Sequence, residues 1–271
     1  MVAPIGKPLV AARLLAWALP AHCVLCGRPC GRASRTFNSE ASNGLRALCG
    51  KMSQDPFCTA CDLAYWNEAR LRCVTCALPL AAGHAGAATS RQYRCAGCVG
   101  ATRAFDATVA LADYRPPLDR LTLDLKFRSR LALAEAFAER LARAARDAID
   151  PGERPDVVVP VPLARKRLAA RGFNQAWEIA RRLARRLELP ADATLLARVT
   201  ETARQATLDA DARRRNVEAA FAVTKPVRGL ALAVVDDVMT SGATLEAAAQ
   251  ALKAAGARRV TNLVVLRTPK D

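Results

Sequence analysis

Aromatic side chains are scarce in this 271-residue chain: seven Phe, three Trp and three Tyr, 5% of the residues, scattered without clustering. Non-specific single-strand binders use aromatics as base platforms, so a stacking groove of that kind is not expected. No stretch reaches the roughly 18 consecutive apolar residues of a membrane-spanning helix. A secretory leader is not expected either, because Arg13 splits the first apolar segment and a cysteine cluster follows directly. That segment reads as a short amphipathic helix, with an interfacial membrane contact as the alternative. Acidic residues are the other deficit: 25 Asp and Glu stand against 41 Lys and Arg, a net charge of +16. Residues 1–100 carry +7 of it and residues 101–271 carry +9. Charge of that sign favours nucleic acid, phosphorylated metabolites or an anionic leaflet. Arginines spread over solvated helix faces account for it equally well.

Apolar residues are plentiful, at 52% against 24% charged, which is the balance of a globular chain. The length suits one or two domains. Cysteine is absent after Cys98, and all ten lie between Cys23 and that point. The division is therefore placed at residue 100: residues 1–100 hold the N-terminal helix and a Cys-rich domain, and residues 101–271 an α/β domain. In the latter, Ala107–Tyr114, Val157–Val161, Ala231–Val235 and Val260–Leu266 read as strands. Leu118–Phe127, Leu131–Ile149, Asn174–Leu187 and Leu245–Ala255 read as helices, the last closed by Gly256. That alternation implies a mostly parallel sheet with helices on both faces.

Eight of the cysteines form C-x-x-C pairs: Cys23/Cys26, Cys58/Cys61, Cys73/Cys76 and Cys95/Cys98. Two intervening residues let both thiolates reach one tetrahedral ion, and two pairs complete a four-cysteine zinc site. Sequence order gives two zinc ribbons, Cys23, Cys26, Cys58, Cys61 and Cys73, Cys76, Cys95, Cys98. A disulfide framework is the competing explanation, and a cytoplasmic, reducing compartment favours zinc. Cys30 and Cys49 are left over, as spare thiols or as replacements in the first site. A closed all-thiolate shell has no place for water, so such zinc is structural.

The most informative stretch is A-L-A-V-V-D-D-V-M-T-S-G-A-T, residues 231–244. An apolar strand is expected to end at Asp236–Asp237, and a short loop then leads into a helix starting near Leu245. Backbone N–H groups of residues 240–244 and the positive helix end can wrap a phosphate. Gly242 permits close approach, Ala243 adds an amide, and the hydroxyls of Thr240, Ser241 and Thr244 add donors. The two carboxylates can accept bonds from vicinal sugar hydroxyls, directly or beside Mg²⁺. A capped strand–turn–helix with no ligand is the plain alternative. The motif resembles the 5-phosphoribosyl 1-pyrophosphate (PRPP) motif of type I phosphoribosyltransferases, with Ser241 where Thr is more usual. That resemblance implies a loop for the 5′-phosphate, an acidic pair for the ribose hydroxyls and Mg²⁺ on the pyrophosphate.

Two further elements accompany it. The strand V-V-V-P-V-P-L feeds a loop carrying Arg165, Lys166 and Arg167, suited to a pyrophosphate if it faces the same cleft, though exposed basic residues are often just solvated. In Arg171-Gly-Phe-Asn-Gln175, Asn174 reads as an N-cap, and the Arg171 guanidinium beside a glycine is the functional candidate.

The order of the Cys pairs, Tyr114-Arg-Pro-Pro-Leu118, Leu125-Lys-Phe127, V-P-V-P-L, R-G-F-N-Q, Arg204-Gln205, Asn216-Val-Glu-Ala-Ala-Phe221 and V-V-D-D-V-M-T-S-G-A-T resembles the ComF family of competence-associated proteins over residues 20–268. The resemblance implies a type I phosphoribosyltransferase sheet preceded by a double zinc ribbon, with Asp236 and Asp237 as catalytic candidates. It also implies recognition of PRPP with Mg²⁺, and handling of incoming single-stranded DNA with competence-machinery proteins at the cytoplasmic face of the inner membrane. Few residues follow Val260–Leu266, so a hood over a nucleobase is not expected. Three functions stay open: Mg²⁺-dependent phosphoribosyl transfer to an unidentified acceptor, a non-catalytic DNA-binding accessory role, and a PRPP-sensing regulator.

Overall fold

The computed structural model describes residues 22–30, 55–66, 70–80, 93–199 and 220–270. The expected N-terminal helix, Cys49, Arg204–Gln205 and Asn216–Ala219 lie outside them. The chain forms two compact units, residues 1–64 and 65–271. Residue 100 falls inside the second, so the Cys73–Cys98 group belongs to the same unit as the sheet.

The strands are β1 (Ala107–Asp113), β2 (Val157–Pro160), β3 (Leu196–Arg198), β4 (Phe221–Val223), β5 (Ala231–Met239) and β6 (Arg259–Arg267). The helices are α1 (Thr59–Trp66), α2 (Ala96–Val99), α3 (Asp119–Arg128), α4 (Leu131–Ala148), α5 (Arg165–Arg171), α6 (Gln175–Leu187) and α7 (Ala243–Ala254). Four strands make a sheet of order β1-β6-β5-β2, every pair parallel, as the alternating pattern implies. The short β3 and β4 pair antiparallel apart from it.

Both faces of the sheet are covered, which is why its central strands are apolar almost throughout. Leu133, Phe137 and Leu141 of α4 recur at helical spacing and are fully buried, as are Ile179 and Leu183 of α6. These two helices pack on each other, α4 also on β1 and β6, and α6 on β2 and β5. Each such side chain contributes roughly 1.5–3 kcal/mol by leaving water. On the other side Leu245, Ala248 and Leu252 of α7 join Leu232, Val234, Val260 and Val264 in one buried cluster. The cysteine-bearing segment enters it through Cys73, Cys76 and Cys98.

Three local features differ from expectation, and all surround the same end of the sheet. Strand β5 continues through the two acids to Met239, because Val238 and Met239 keep pairing with β6 at Leu266 and Arg267. Helix α7 starts at Ala243, leaving only residues 240–242 as the loop. Residues 165–171 form a helix in place of a loop: R-K-R-L-A-A-R consists of good helix formers, and Gly172 at φ +76° ends it.

Candidate functional site

Side chains alternate across a strand, so Asp236 and Asp237 leave β5 on opposite faces. Asp237 is 3% exposed. Its Oδ2 lies 2.5 Å from the Lys126 ammonium of α3, and its Oδ1 is 3.5 Å from Gln175 Nε2 at the start of α6. Gln175 Oε1 in turn accepts from Arg171 at 3.0 Å, and that guanidinium sits 5.2 Å from the Phe127 ring centre. The separate motifs L-K-F, R-G-F-N-Q and V-V-D-D thus meet at one carboxylate. Asn174 caps α6 as expected, accepting from Ala176 N at 3.0 Å, and its amide donates to Val161 O at 3.0 Å.

Asp236 is partly buried on the other face, where its Oδ1 accepts from Asp237 N at 2.9 Å. Burial, and then the neighbouring Asp237 charge, push its carboxyl well above the usual carboxylate range. A positive field reaches it from Arg198 on β3, whose own protonation is weakened by burial and by the nearby Arg167. Arg198 also lies 5.4 Å from the Phe221 ring centre. Of the three basic residues expected to face the cleft, Arg167 has an electrostatic link to Arg198, which in turn feels this acid. Arg165 and Lys166 are exposed on the first turn of α5.

Beyond Met239, Thr240 and Ser241 are exposed and Gly242 is buried with φ +86°. A Cβ at Gly242 would stand 2.6 Å from Met239 Cε. Ala243 N donates to Ser241 Oγ at 3.3 Å, and Thr244 is exposed on the first turn of α7. The loop therefore shows open hydroxyls and a helix N-terminus at the carboxyl end of a parallel strand, the usual ligand position in such sheets.

Sequence reasoning assigned no site role to Lys126, Arg198 or Arg267. Lys126 carries a faint signal, a lone cation in the middle of L-K-F. Arg267 carries one too, as an arginine closing the apolar run of β6. Arg198 sits in a three-residue strand with no periodicity to mark it.

The cysteines form the two groups expected, Cys23, Cys26, Cys58, Cys61 and Cys73, Cys76, Cys95, Cys98, with all Sγ atoms of a group within 4.8 Å of one another. The Sγ atoms of Cys26 and Cys58 are 3.7 Å apart, and those of Cys76 and Cys95 are 3.6 Å apart. Four thiolates at about 2.3 Å from a tetrahedral zinc stand about 3.8 Å apart, so both groups fit that ion. Each starts with the same turn: Gly27 N donates to Cys23 O and Ala77 N to Cys73 O, both at 2.8 Å. Hydrogen bonding from Cys76 brings the Cys73 thiol down to about 4. Burial alone would raise Cys23, but backbone hydrogen bonds around Cys58 and Cys26 bring it to about 6. Cys30 hydrogen-bonds Cys23 beside the first group but is not one of its four.

Residues 129–271 match the model of the phosphoribosyl transferase domain. The chain belongs to that family. The phosphoribosyl transferase match spans every strand except β1 and begins just after the L-K-F segment. Full-length relatives agree with the resemblance read from the motifs. The DNA utilization protein YhgH of Escherichia coli (strain K12) is 34% identical over 213 residues, 78% of this chain and 90% of its own. The protein of that name from Salmonella typhi is 36% identical over 215 residues, with the same coverage. Competence protein F of Haemophilus influenzae is 34% identical over 188 residues, 66% of this chain and 80% of its own. Among the described residues no helix is long and apolar enough to cross a membrane.

Proposed function

We propose that this phosphoribosyl transferase domain binds PRPP with Mg²⁺ at the carboxyl end of β5. The observation that carries the reading is the short turn at residues 240–242, with exposed hydroxyls and a left-handed glycine, set between Asp236 and the α7 N-terminus. Thr240, Ser241, Gly242, Ala243 and Thr244 surround the 5-phosphate with amides and hydroxyls. Asp236 accepts from the ribose hydroxyls. Asp237, held by Lys126 and Gln175, is a positioning residue that keeps β5 and its neighbour in place. Arg198 and Arg167 face the pyrophosphate, while Arg165 and Lys166 add field at the rim. Arg171 acts through Gln175. Asp236 would help hold Mg²⁺ brought with the ligand, and the ion would supply charge neutralisation for the pyrophosphate. The chain's own share of a phosphoribosyl transfer is then alignment and electrostatics, with an acceptor nitrogen entering as pyrophosphate leaves.

Calorimetric titration of PRPP with Mg²⁺ tests this. Wild type is expected to bind more tightly as pH rises through the elevated titration of Asp236, because the protonated carboxyl accepts hydroxyl hydrogen bonds poorly. Asp236→Asn is expected to bind weakly and without that pH dependence. Since the folded-state value is raised, ionisation costs stability from the ordinary carboxylate range upward, so Asp236→Asn should also melt higher at neutral pH. Wild-type binding unaffected by the substitution would refute the assignment. Release of pyrophosphate in an acceptor screen reports turnover.

The same reading places zinc in both cysteine groups, and protein purified without added metal is expected to contain two zinc ions per chain. Mass-mapped disulfides among these eight cysteines would overturn it. The relatives' names and the net charge of +16 support a second role, handling single-stranded DNA in the cytoplasm, at the inner membrane and alongside competence-machinery proteins. If the charge is used on phosphates, affinity for an oligonucleotide will fall steeply with salt. Binding that salt leaves unchanged would count against this role.

A further inference from the structure

Arg267 closes β6 at 2% exposure, and among the described residues no carboxylate pairs with it. Its Nε and Nη1 donate to main-chain carbonyls, and the Cys76 side chain is a further partner of the guanidinium. Nε donates to Cys76 O at 2.8 Å, and Nη1 donates to Met239 O at 3.0 Å, to Thr268 O at 2.8 Å and to Thr240 O. One end of this fork thus holds the turn of the second four-cysteine group, and the other holds Met239, the last residue of β5, and Thr240, the first of the phosphate-accepting loop. A buried charge placed this way is costly unless every donor is met, so its partners are not free to drift separately.

The consequence for the loop follows from peptide geometry. In a trans peptide the carbonyl and the following N–H point in opposite directions. Turning the Met239 and Thr240 carbonyls inward onto Arg267 therefore turns the amides of Thr240 and Ser241 outward, toward the position proposed for the 5-phosphate. At the other end, Cys76 lies inside the turn closed by Ala77 N to Cys73 O and by Cys73 N to Leu78 O, both at 2.8 Å. The thiolates of Cys73 and Cys76 gather on one ion only if that turn keeps its shape.

We infer that Arg267 is a positioning residue that ties the turn of the second cysteine group to the phosphate loop, so that metal held there and anion bound at residues 240–244 strengthen each other. The inference rests on the PRPP reading above for the identity of the anion. Linkage makes the effect reciprocal: whatever the metal adds to anion affinity, the anion adds to metal retention.

The test follows transfer of zinc from the full-length, zinc-replete protein to a chromogenic chelator, with PRPP and Mg²⁺ or with Mg²⁺ alone. PRPP is expected to slow release of one of the two zinc equivalents about fivefold or more and to leave the other unchanged. Arg267→Lys, which keeps the charge but has no planar fork, is expected to keep its zinc and lose that slowing. Unchanged release from a wild type that calorimetry shows to be binding PRPP overturns the inference. So does slowing that persists in folded Arg267→Lys. If the substitution prevents folding, the wild-type release rates decide alone. If the zinc-replete wild type gives no heat with PRPP, the PRPP reading fails, and amide exchange at residues 239–243 decides the link. Faster exchange there once the second group has lost its zinc, with β5 residues 231–235 still protected, upholds it. Unchanged exchange overturns it.

Discussion

Gly242→Ala is expected to weaken PRPP binding about tenfold, because the left-handed backbone there costs an L-residue roughly 1–2 kcal/mol and the loop relaxes to escape it. Two separate obstacles meet at this position. The φ of +86° disfavours any side chain, and the new Cβ would stand 2.6 Å from Met239 Cε. Met239 Cε is the far end of a flexible side chain and can turn aside, so the backbone is the larger obstacle. The two can be separated by combining Gly242→Ala with Met239→Ala, which removes the collision but leaves the backbone strain. Affinity in the double variant is expected to recover only part of the way, by calorimetry, with the sheet intact in both. Full affinity in Gly242→Ala alone would show that the loop amides do not hold the ligand.

Lys126→Met should be the most destabilising single change at the site, by about 3–5 kcal/mol, since it leaves Asp237 buried without its countercharge. The pair is 2.5 Å apart, with the carboxylate side chain only 4% exposed, so solvent cannot replace the ammonium. Lys126→Met/Asp237→Asn is expected to regain most of that loss, because a neutral amide can still accept from Gln175. Urea unfolding of the four proteins in the cycle measures the interaction directly. A loss below about 1 kcal/mol for the single change would place the pair among ordinary exposed ion pairs.

The strands of the sheet were legible because buried parallel strands are apolar without interruption, as in Val157–Val159 and Val260–Leu266 apart from Thr261 and Asn262. Helix α4 was legible from the spacing of Leu133, Phe137 and Leu141, and α6 as a helical stretch over Asn174–Leu187. The cysteine groups followed from C-x-x-C spacing alone. What escaped was set by partners distant in the chain. Nothing near Asp237 says that β5 keeps pairing past it, since that depends on Leu266 and Arg267 across the ladder. A run of three cationic residues at 165–167 looks like a solvated loop, and only the sum of helix propensities up to Gly172 argues otherwise. The acids read as a matched pair because they are adjacent, whereas a strand sends neighbours to opposite faces. Lys126 lies 111 positions before its partner, and no local pattern announces that distance.

The sheet has two outer strands, and neither is left bare. On the β2 side, Val158 N donates to Pro190 O at 2.9 Å and Asp192 N to Val158 O at 3.0 Å. Pro160 offers no donor there at all. On the β1 side, Thr108 N donates to Val74 O at 3.1 Å, and Val74 lies between Cys73 and Cys76. The turn between Cys73 and Cys76 thus also shields part of an otherwise adhesive strand edge. If zinc shapes that turn as proposed, metal starvation during synthesis would threaten solubility before it threatened chemistry, with newly made chains sticking to one another along β1.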